Sequence, residues 1–241
     1  MKKKKILCLG DSLTFGSAGY SYINGLSNDF KVINKGVNGD TTICAFGRLK
    51  SYINNKKYKD VDRYIISIGT NDILLPYLSS ISISWKIQTN PSLYLKKCIN
   101  DDNDFEIEYE KYLKLLKENN KEAILIGIPL LQLRHFSYDS IKRRNLIIFN
   151  LANKYNFPFI DIFEIQRLMC NDNFKEYSWK YKNINRIIDY IIMALFPFTK
   201  NIYSKGRKLE FTVDGVHFNK LSADLLAKEV KSRLKGDNYE N

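Results

Sequence analysis

Four short segments of this chain hold residue types that can act together in acyl transfer: Gly10-Asp11-Ser12-Leu13, Gly36-Val37-Asn38-Gly39, Gly69-Thr70-Asn71-Asp72 and Asp214-Gly215-Val216-His217. A serine hydroxyl is a weak nucleophile until a base takes its proton, and the base needs a third group to hold its ring and tautomer. The chain has two histidines, His135 and His217. Asp214 stands three residues before His217, a spacing at which one local turn brings the carboxylate to Nδ1 and leaves Nε2 facing a serine. His135 has no acid at that spacing. Asp139 lies one helical turn beyond it, and Arg134, Arg143 and Arg144 surround it in a connection that reads as solvated. Ser12, His217 and Asp214 are the expected nucleophile, base and orienting acid, and His135 reads as a solvated histidine on a polar segment rather than as the base.

Acyl transfer also needs donors aimed at the oxyanion that forms on the attacked carbonyl. Gly39 closes a loop after an expected strand around 30–34, where the missing Cβ lets the backbone approach a ligand. Asn71 offers a neutral side-chain amide. Each segment alone also fits a plainer role, with Gly36 and Gly39 shaping a tight turn and Asn71 and Asp72 capping the next helix.

The elements expected around these residues put them at one edge of a sheet. Ile6-Leu7-Cys8-Leu9 and Tyr64-Ile65-Ile66-Ser67-Ile68 read as buried strands, so Ser12 and Asn71 follow strand ends, where open α/β sheets bind ligands. Further strands are expected at 123–128 and 157–162, with a helix at 140–155 between them. A capping box at Asn103 and Glu106 predicts a helix whose core stripe is Phe105, Tyr109, Tyr112, Leu113 and Leu116. A last helix at 219–234 fixes the loop carrying His217. Strand and helix alternate throughout, which predicts an α/β fold with a parallel sheet covered on both faces.

With these segments in this order, the chain resembles the SGNH (GDSL-type) hydrolase superfamily. The resemblance covers Lys4 to about Gly127 and about Phe157 to Leu234, and Asn34-Lys35-Gly36-Val37-Asn38-Gly39-Asp40-Thr41 is close to the family's second block. It implies a flavodoxin-like three-layer α/β/α sandwich with about five parallel strands and a helical cap insertion. It also implies Ser12 as nucleophile, Asp214 and His217 completing the triad, and an oxyanion hole of the Ser12 N–H, the Gly39 N–H and the Asn71 side chain. Phe218 departs from the proline that often follows the histidine, which bears on the shape of the pocket wall.

Other site chemistries are not met. The glycines at 10, 16 and 19 do not make G-x-G-x-x-G, and no P-loop pattern occurs there, so no nucleotide cofactor is expected. Ser12 is not in a G-x-S-x-G elbow, which argues against the α/β-hydrolase family. Cys8, Cys44, Cys98 and Cys170 form no C-x-x-C pair, and with two distant histidines no metal is expected.

At 241 residues and 44% hydrophobic content the chain can bury a core as one domain. Four lysines follow Met1, but the apolar run behind them stops at Gly10, too short for a signal peptide and better used as the first strand. No stretch approaches the roughly 20 apolar residues of a membrane-spanning helix, so a cytoplasmic location with reduced thiols is expected. The net charge of +12 is spread along a chain rich in lysine, asparagine, isoleucine and tyrosine, and no nucleic-acid partner is expected. Basic surfaces around 134–144 and 200–208 would attract acidic substrates or phospholipid headgroups.

Two stretches exceed the needs of the sheet: 74–102, with Trp85 and Pro91, and 163–211. Both are expected as lid insertions at the catalytic edge. Ile184, Ile187, Ile188, Ile191, Ile192 and Leu195 recur at helical spacing, as a cap lining an acyl pocket, as a face touching lipid, or as a helix packed on the core. Tyr177, Trp179 and Tyr181 could stack on a sugar ring or serve as the core of the lid. The expected activity is hydrolysis of small-molecule carboxylic esters with short or medium acyl groups. The alternatives are a carbohydrate O-acetyl esterase, a lysophospholipase, or a noncatalytic binding protein on the same fold.

Overall fold

The computed structural model describes residues 3–95, 97–171 and 174–236. Five parallel strands form one sheet: β1 (Lys5–Gly10), β2 (Lys31–Gly36), β3 (Arg63–Ser67), β4 (Glu122–Ile126) and β5 (Phe159–Ile160), in the order β2-β1-β3-β4-β5. This is the flavodoxin-like order. The helices are α1 (Ser12–Phe15), α2 (Ile23–Leu26), α3 (Thr42–Asn54), α4 (Thr70–Ile81), α5 (Ile83–Leu95), α6 (Asp102–Glu118), α7 (Tyr138–Lys154), α8 (Ile162–Leu168), α9 (Asn183–Leu195), α10 (Thr199–Arg207) and α11 (Lys220–Gly236).

The two faces of the sheet follow from the alternation of side chains along each strand. Leu7, Leu9, Tyr64, Ile66, Ala123 and Leu125 pack with residues of α3, α6 and α7. Ile6, Cys8, Ile65, Ile124, Ile126 and Ile160 pack on the other side with α2 and α11. Strands buried on both faces need unbroken apolar runs, which is why β1 and β3 stand out in the sequence while β2, at the sheet edge, does not. A third cluster joins Leu74, Leu78, Trp85, Trp179, Phe211 and Val216 with Leu130, Leu131 and Leu133, which follow β4. It ties 74–102 and 163–211 to the carboxyl edge of the sheet.

Several local expectations shift. The α6 cap is Asp101, not Asn103 with Glu106, because the Asp101 carboxylate accepts the N–H groups of Asn103 and Asp104 at 2.8 and 3.1 Å. The α6 stripe of Phe105, Tyr109, Tyr112, Leu113 and Leu116 is buried, as its period predicts. β5 spans two residues rather than 157–162: Pro158 has no N–H to give, and Asp161 already caps α8 through the Glu164 N–H. The basic stretches are less of a surface than their composition predicts. Arg144 is buried against Asp102 and the carbonyls of Ile99 and Asn100, and the buried Lys200 donates to the carbonyls of Gly16 and Gly19.

Candidate active site

Strand register brings three of the four segments to one level. Gly10 at the end of β1 pairs with Gly36 on one side and Ser67 on the other, so the loops after all three strands leave the sheet side by side. β1 and β3 are neighbours whose chains run on to opposite faces, and this divergence opens the crevice where such sheets bind ligands. Backbones crowd there: a Cβ on Gly36 would stand 2.2 Å from the Phe15 nitrogen, so no larger residue fits.

In the first loop Asp11 caps α1, accepting from the Leu13 N–H at 2.9 Å, and Ser12 follows as the first helical residue. Asp11 is buried, and desolvation pushes its carboxyl up to about 7 against the opposing pull of that hydrogen bond. In the second loop Gly39 takes φ of +67°, a conformation that favours glycine. In the third, the Asn71 amide donates to the Asp40 carbonyl at 2.8 Å and makes a longer 3.5 Å contact with Asp11 Oδ2. Asn71 and Asp72 do not cap α4, whose cap Gly69 receives no side-chain bond. Asp72 instead accepts from the Thr42 N–H and hydroxyl at 2.9 and 2.8 Å and from the Ile99 N–H at 3.1 Å.

The fourth segment reaches the same crevice from the other end of the chain. Tyr20 N–H donates to the Phe218 carbonyl at 2.8 Å, and Gln132 N–H to the Gly215 carbonyl at 2.8 Å. The His217 Nε2 lies 3.1 Å from Ser12 Oγ, and its Nδ1 lies 2.8 Å from Asp214 Oδ2. The other oxygen, Asp214 Oδ1, accepts the backbone N–H of Val216 and His217 at 2.9 and 2.8 Å. Burial raises the Asp214 carboxyl, but the adjacent Arg186 guanidinium and His217 outweigh it and hold it well below the usual carboxylate range. An ionised Asp214 keeps a proton on Nδ1, which leaves Nε2 as an acceptor for the Ser12 hydroxyl. His135 stands apart from this line, exposed and at a left-handed φ of +62°.

Three supporting residues carry no signal in the local sequence. Gln132, fully buried, accepts through Oε1 from Phe211 N–H, Thr212 N–H and the Thr212 hydroxyl at 2.9 to 3.1 Å, and so holds the start of the loop bearing Asp214. Arg48 on α3 bonds the Asp40 carboxylate and the carbonyls of Lys35 and Gly10, which straps the first two loops together. Arg186 on α9 bonds Asp214 Oδ2 itself. Each joins positions distant in the chain, so only the fold reveals them.

Two expected pocket features fall elsewhere. Trp179 is buried, stacked on Trp85 with centroids 5.5 Å apart, and donates to the Asp214 carbonyl at 2.6 Å, so it is a prop of the loop and not a platform for a sugar. Phe218 is buried against the α11 side of the sheet and builds no pocket wall. Among the described residues no cluster of three or more His, Cys, Asp or Glu side chains is arranged to hold a metal ion.

Comparison with known proteins agrees with this architecture. The lipase/acylhydrolase of Enterococcus faecalis superposes with a TM-score of 0.58 at 19% identity, covering 97% of this chain and 96% of that one. A GDSL-like lipase of Bacteroides thetaiotaomicron gives 0.61 at 16% identity, covering 97% and 89%. An uncharacterised protein of Mycoplasma pneumoniae is 39% identical in an 82-residue alignment that covers 28% of this chain and 9% of that protein, so this chain matches only a small part of it. The GDSL-like lipase/acylhydrolase family matches residues 8–184, a stretch that holds Ser12, Gly39 and Asn71 and ends before Asp214. By that match over most of its length, on the sheet order of a flavodoxin-like sandwich, the chain belongs to the GDSL-like lipase/acylhydrolase family.

Proposed function

We propose that the chain hydrolyses small-molecule carboxylic esters through an acyl-enzyme on Ser12. The observation that carries this reading is the unbroken line from Ser12 Oγ to His217 Nε2 at 3.1 Å and from Nδ1 to Asp214 Oδ2 at 2.8 Å. In the first step Ser12 Oγ attacks the ester carbonyl and its proton passes to His217 Nε2. The tetrahedral oxyanion is met by the Ser12 and Gly39 N–H groups and the Asn71 amide. Collapse of the intermediate breaks the bond to the alcohol, which leaves with the proton from His217. Water, deprotonated by His217, then attacks the acyl-enzyme and releases the acid.

The leading substrates in this reading are esters of short and medium acyl groups. In this reading 74–102 and 163–211 are parts of the same domain and cap its catalytic edge. The test is turnover of p-nitrophenyl esters of increasing acyl length by the wild type and by Ser12→Ala, with folding followed by circular dichroism. The expected loss of kcat is about 10⁴ to 10⁶, since triad members act as a unit. Normal turnover by a folded Ser12→Ala protein would sink the mechanism.

A further inference from the structure

The helix α9 turns its apolar side away from the protein. Ile184, Ile187, Ile188, Ile191 and Leu195 fall within a stripe about 100° wide, and each is between 48% and 72% exposed. The opposite side carries the buried residues Arg186, Asp189 and Met193. Arg186 bonds Asp214 and Asp189, and Arg207 from α10 bonds Asp189. Turning α9 over to bury its isoleucines would strip a partner from each of four charged side chains, Arg186, Asp189, Arg207 and Asp214, so the inner polar face fixes the outer apolar one. Phe196 and Phe198, which follow α9, and Ile202 on α10 are each more than half exposed.

The charge around this face selects its occupant. From 183 to 208 the only carboxylate is Asp189, which lies on the inner side of α9. Lys180, before α9 in the chain, and Lys205 and Lys208, after it, are exposed. A second copy of the chain would bring a net charge of +12 against +12, whereas an anionic surface would be drawn to it. No helix of the described residues is long and apolar enough to cross a membrane. A row of aliphatic and aromatic side chains between lysines is the composition of a helix that lies in the plane of a bilayer interface.

We propose that the outer face of α9, with Phe196 and Phe198, docks on an anionic lipid bilayer. The apolar side chains enter the acyl boundary and the lysines meet the headgroup phosphates. The face adjoins the candidate site: Asn38, in the loop before Gly39, donates to Tyr190 of α9 at 3.1 Å, and Lys200 of α10 holds the carbonyls of Gly16 and Gly19 after Ser12. Docking therefore seats the Ser12 crevice near the lipid surface. The proposal stands independently of the ester-hydrolase reading, because it concerns binding.

Flotation of the full chain with vesicles tests it. Phosphatidylcholine vesicles are compared with vesicles that also contain phosphatidylglycerol, using Ser12→Ala protein so that no lipid is cleaved. The wild-type face is expected to partition at least roughly tenfold more onto the anionic vesicles. Adding Ile187→Glu and Ile191→Glu together should reduce that binding by about tenfold or more, with the circular dichroism spectrum unchanged. Lys180→Glu with Lys205→Glu, exposed positions that carry no core contact, should weaken anionic binding in the same direction. Protein that stays with neither vesicle, or a folded double-glutamate variant that floats as before, overturns the proposal. So does a solution dimer that the double-glutamate change dissolves, since the face would then belong to a second copy.

Discussion

Arg186 and His217 share one oxygen of Asp214: the Arg186 guanidinium and His217 Nδ1 both bond Oδ2, while Oδ1 is occupied by two backbone N–H groups. Asp214 is fully buried, and an ionised carboxylate in that position costs several kcal/mol unless it is paired. Arg186 supplies the pairing before His217 carries any charge. In the proposed mechanism an imidazolium at His217 would face a carboxylate whose charge is already balanced, and would gain less from Asp214 than from an isolated acid. The same contact links the candidate site to α9, so the helix that turns its apolar face outward also sets the electrostatics of the inner line.

Arg186→Met is expected to unfold at a higher pH than the wild type on acidification, because the guanidinium that outweighs burial in holding the Asp214 carboxyl down is gone. The sign follows from linkage: a carboxyl held below its unfolded value stabilises the fold above that range and loses the contribution as pH falls, and without Arg186 the contribution is smaller and is lost sooner. Asp189 keeps its bond to Arg207, so the change leaves no second charge unpaired. Arg186→Lys, which retains the charge, should shift the acid transition less. An acid transition of Arg186→Met that coincides with the wild type, followed by circular dichroism, would reduce Arg186 to a mere fastening of α9.

Asn71→Ala is expected to lower kcat by about 10² to 10³ with a small change in KM, the loss typical of one oxyanion donor. One N–H of Asn71 already bonds the Asp40 carbonyl, and the other has only the 3.5 Å contact to Asp11. In the proposed mechanism that second N–H is the one offered to the oxyanion. Steady-state kinetics on a p-nitrophenyl ester decide the matter, and a loss confined to KM would remove Asn71 from the transition state.

Much of this arrangement is legible in the chain itself. β1 and β3 announce themselves as apolar runs, and loops that leave adjacent parallel strands must begin at one edge, so the meeting of 10–13, 36–39 and 69–72 follows from topology. Asp214 and His217 are near in sequence, and their contact needs one turn. Gln132 is different: its partners at 211 and 212 lie about 80 positions away, and a glutamine between leucines has no local mark of that role. The α9 stripe is misleading for a related reason. Periodicity shows that one side of the helix is apolar, but which side faces inward is decided by Asp214 and Arg207, whose partnership with Arg186 and Asp189 no period reveals.

Gln132→Leu is expected to destabilise the protein by about 2–4 kcal/mol, because three buried donors of Phe211 and Thr212 lose their only shared acceptor. For a chain of this size that corresponds to roughly 4–16 °C in Tm. Activity should fall beyond the fraction unfolded, since the loop holding Asp214 begins at that anchor. Thermal melts alongside turnover at a temperature well below the transition separate the two effects. A melting curve that matches the wild type would mean that water replaces the glutamine oxygen.

Asp11 gives the candidate site a pH dependence of its own. Burial raises its carboxyl from 3.8 to about 7, so between those values the folded chain holds a proton that the unfolded chain has released. Stability must therefore fall as pH rises through that window and level off above it. The wild type is expected to lose on the order of 2–3 kcal/mol between pH 5 and pH 8 from this group, about 1.4 kcal/mol for each pH unit below the folded value. Asp11→Asn keeps an oxygen for the Leu13 N–H and has no proton to lose, so its stability should be flatter over the same range. Urea melts of both proteins at the two pH values measure the gap. A difference that stays constant from pH 5 to pH 8 would show that Asp11 is ionised throughout, and that Asn71 and the α1 cap hold its charge despite the burial.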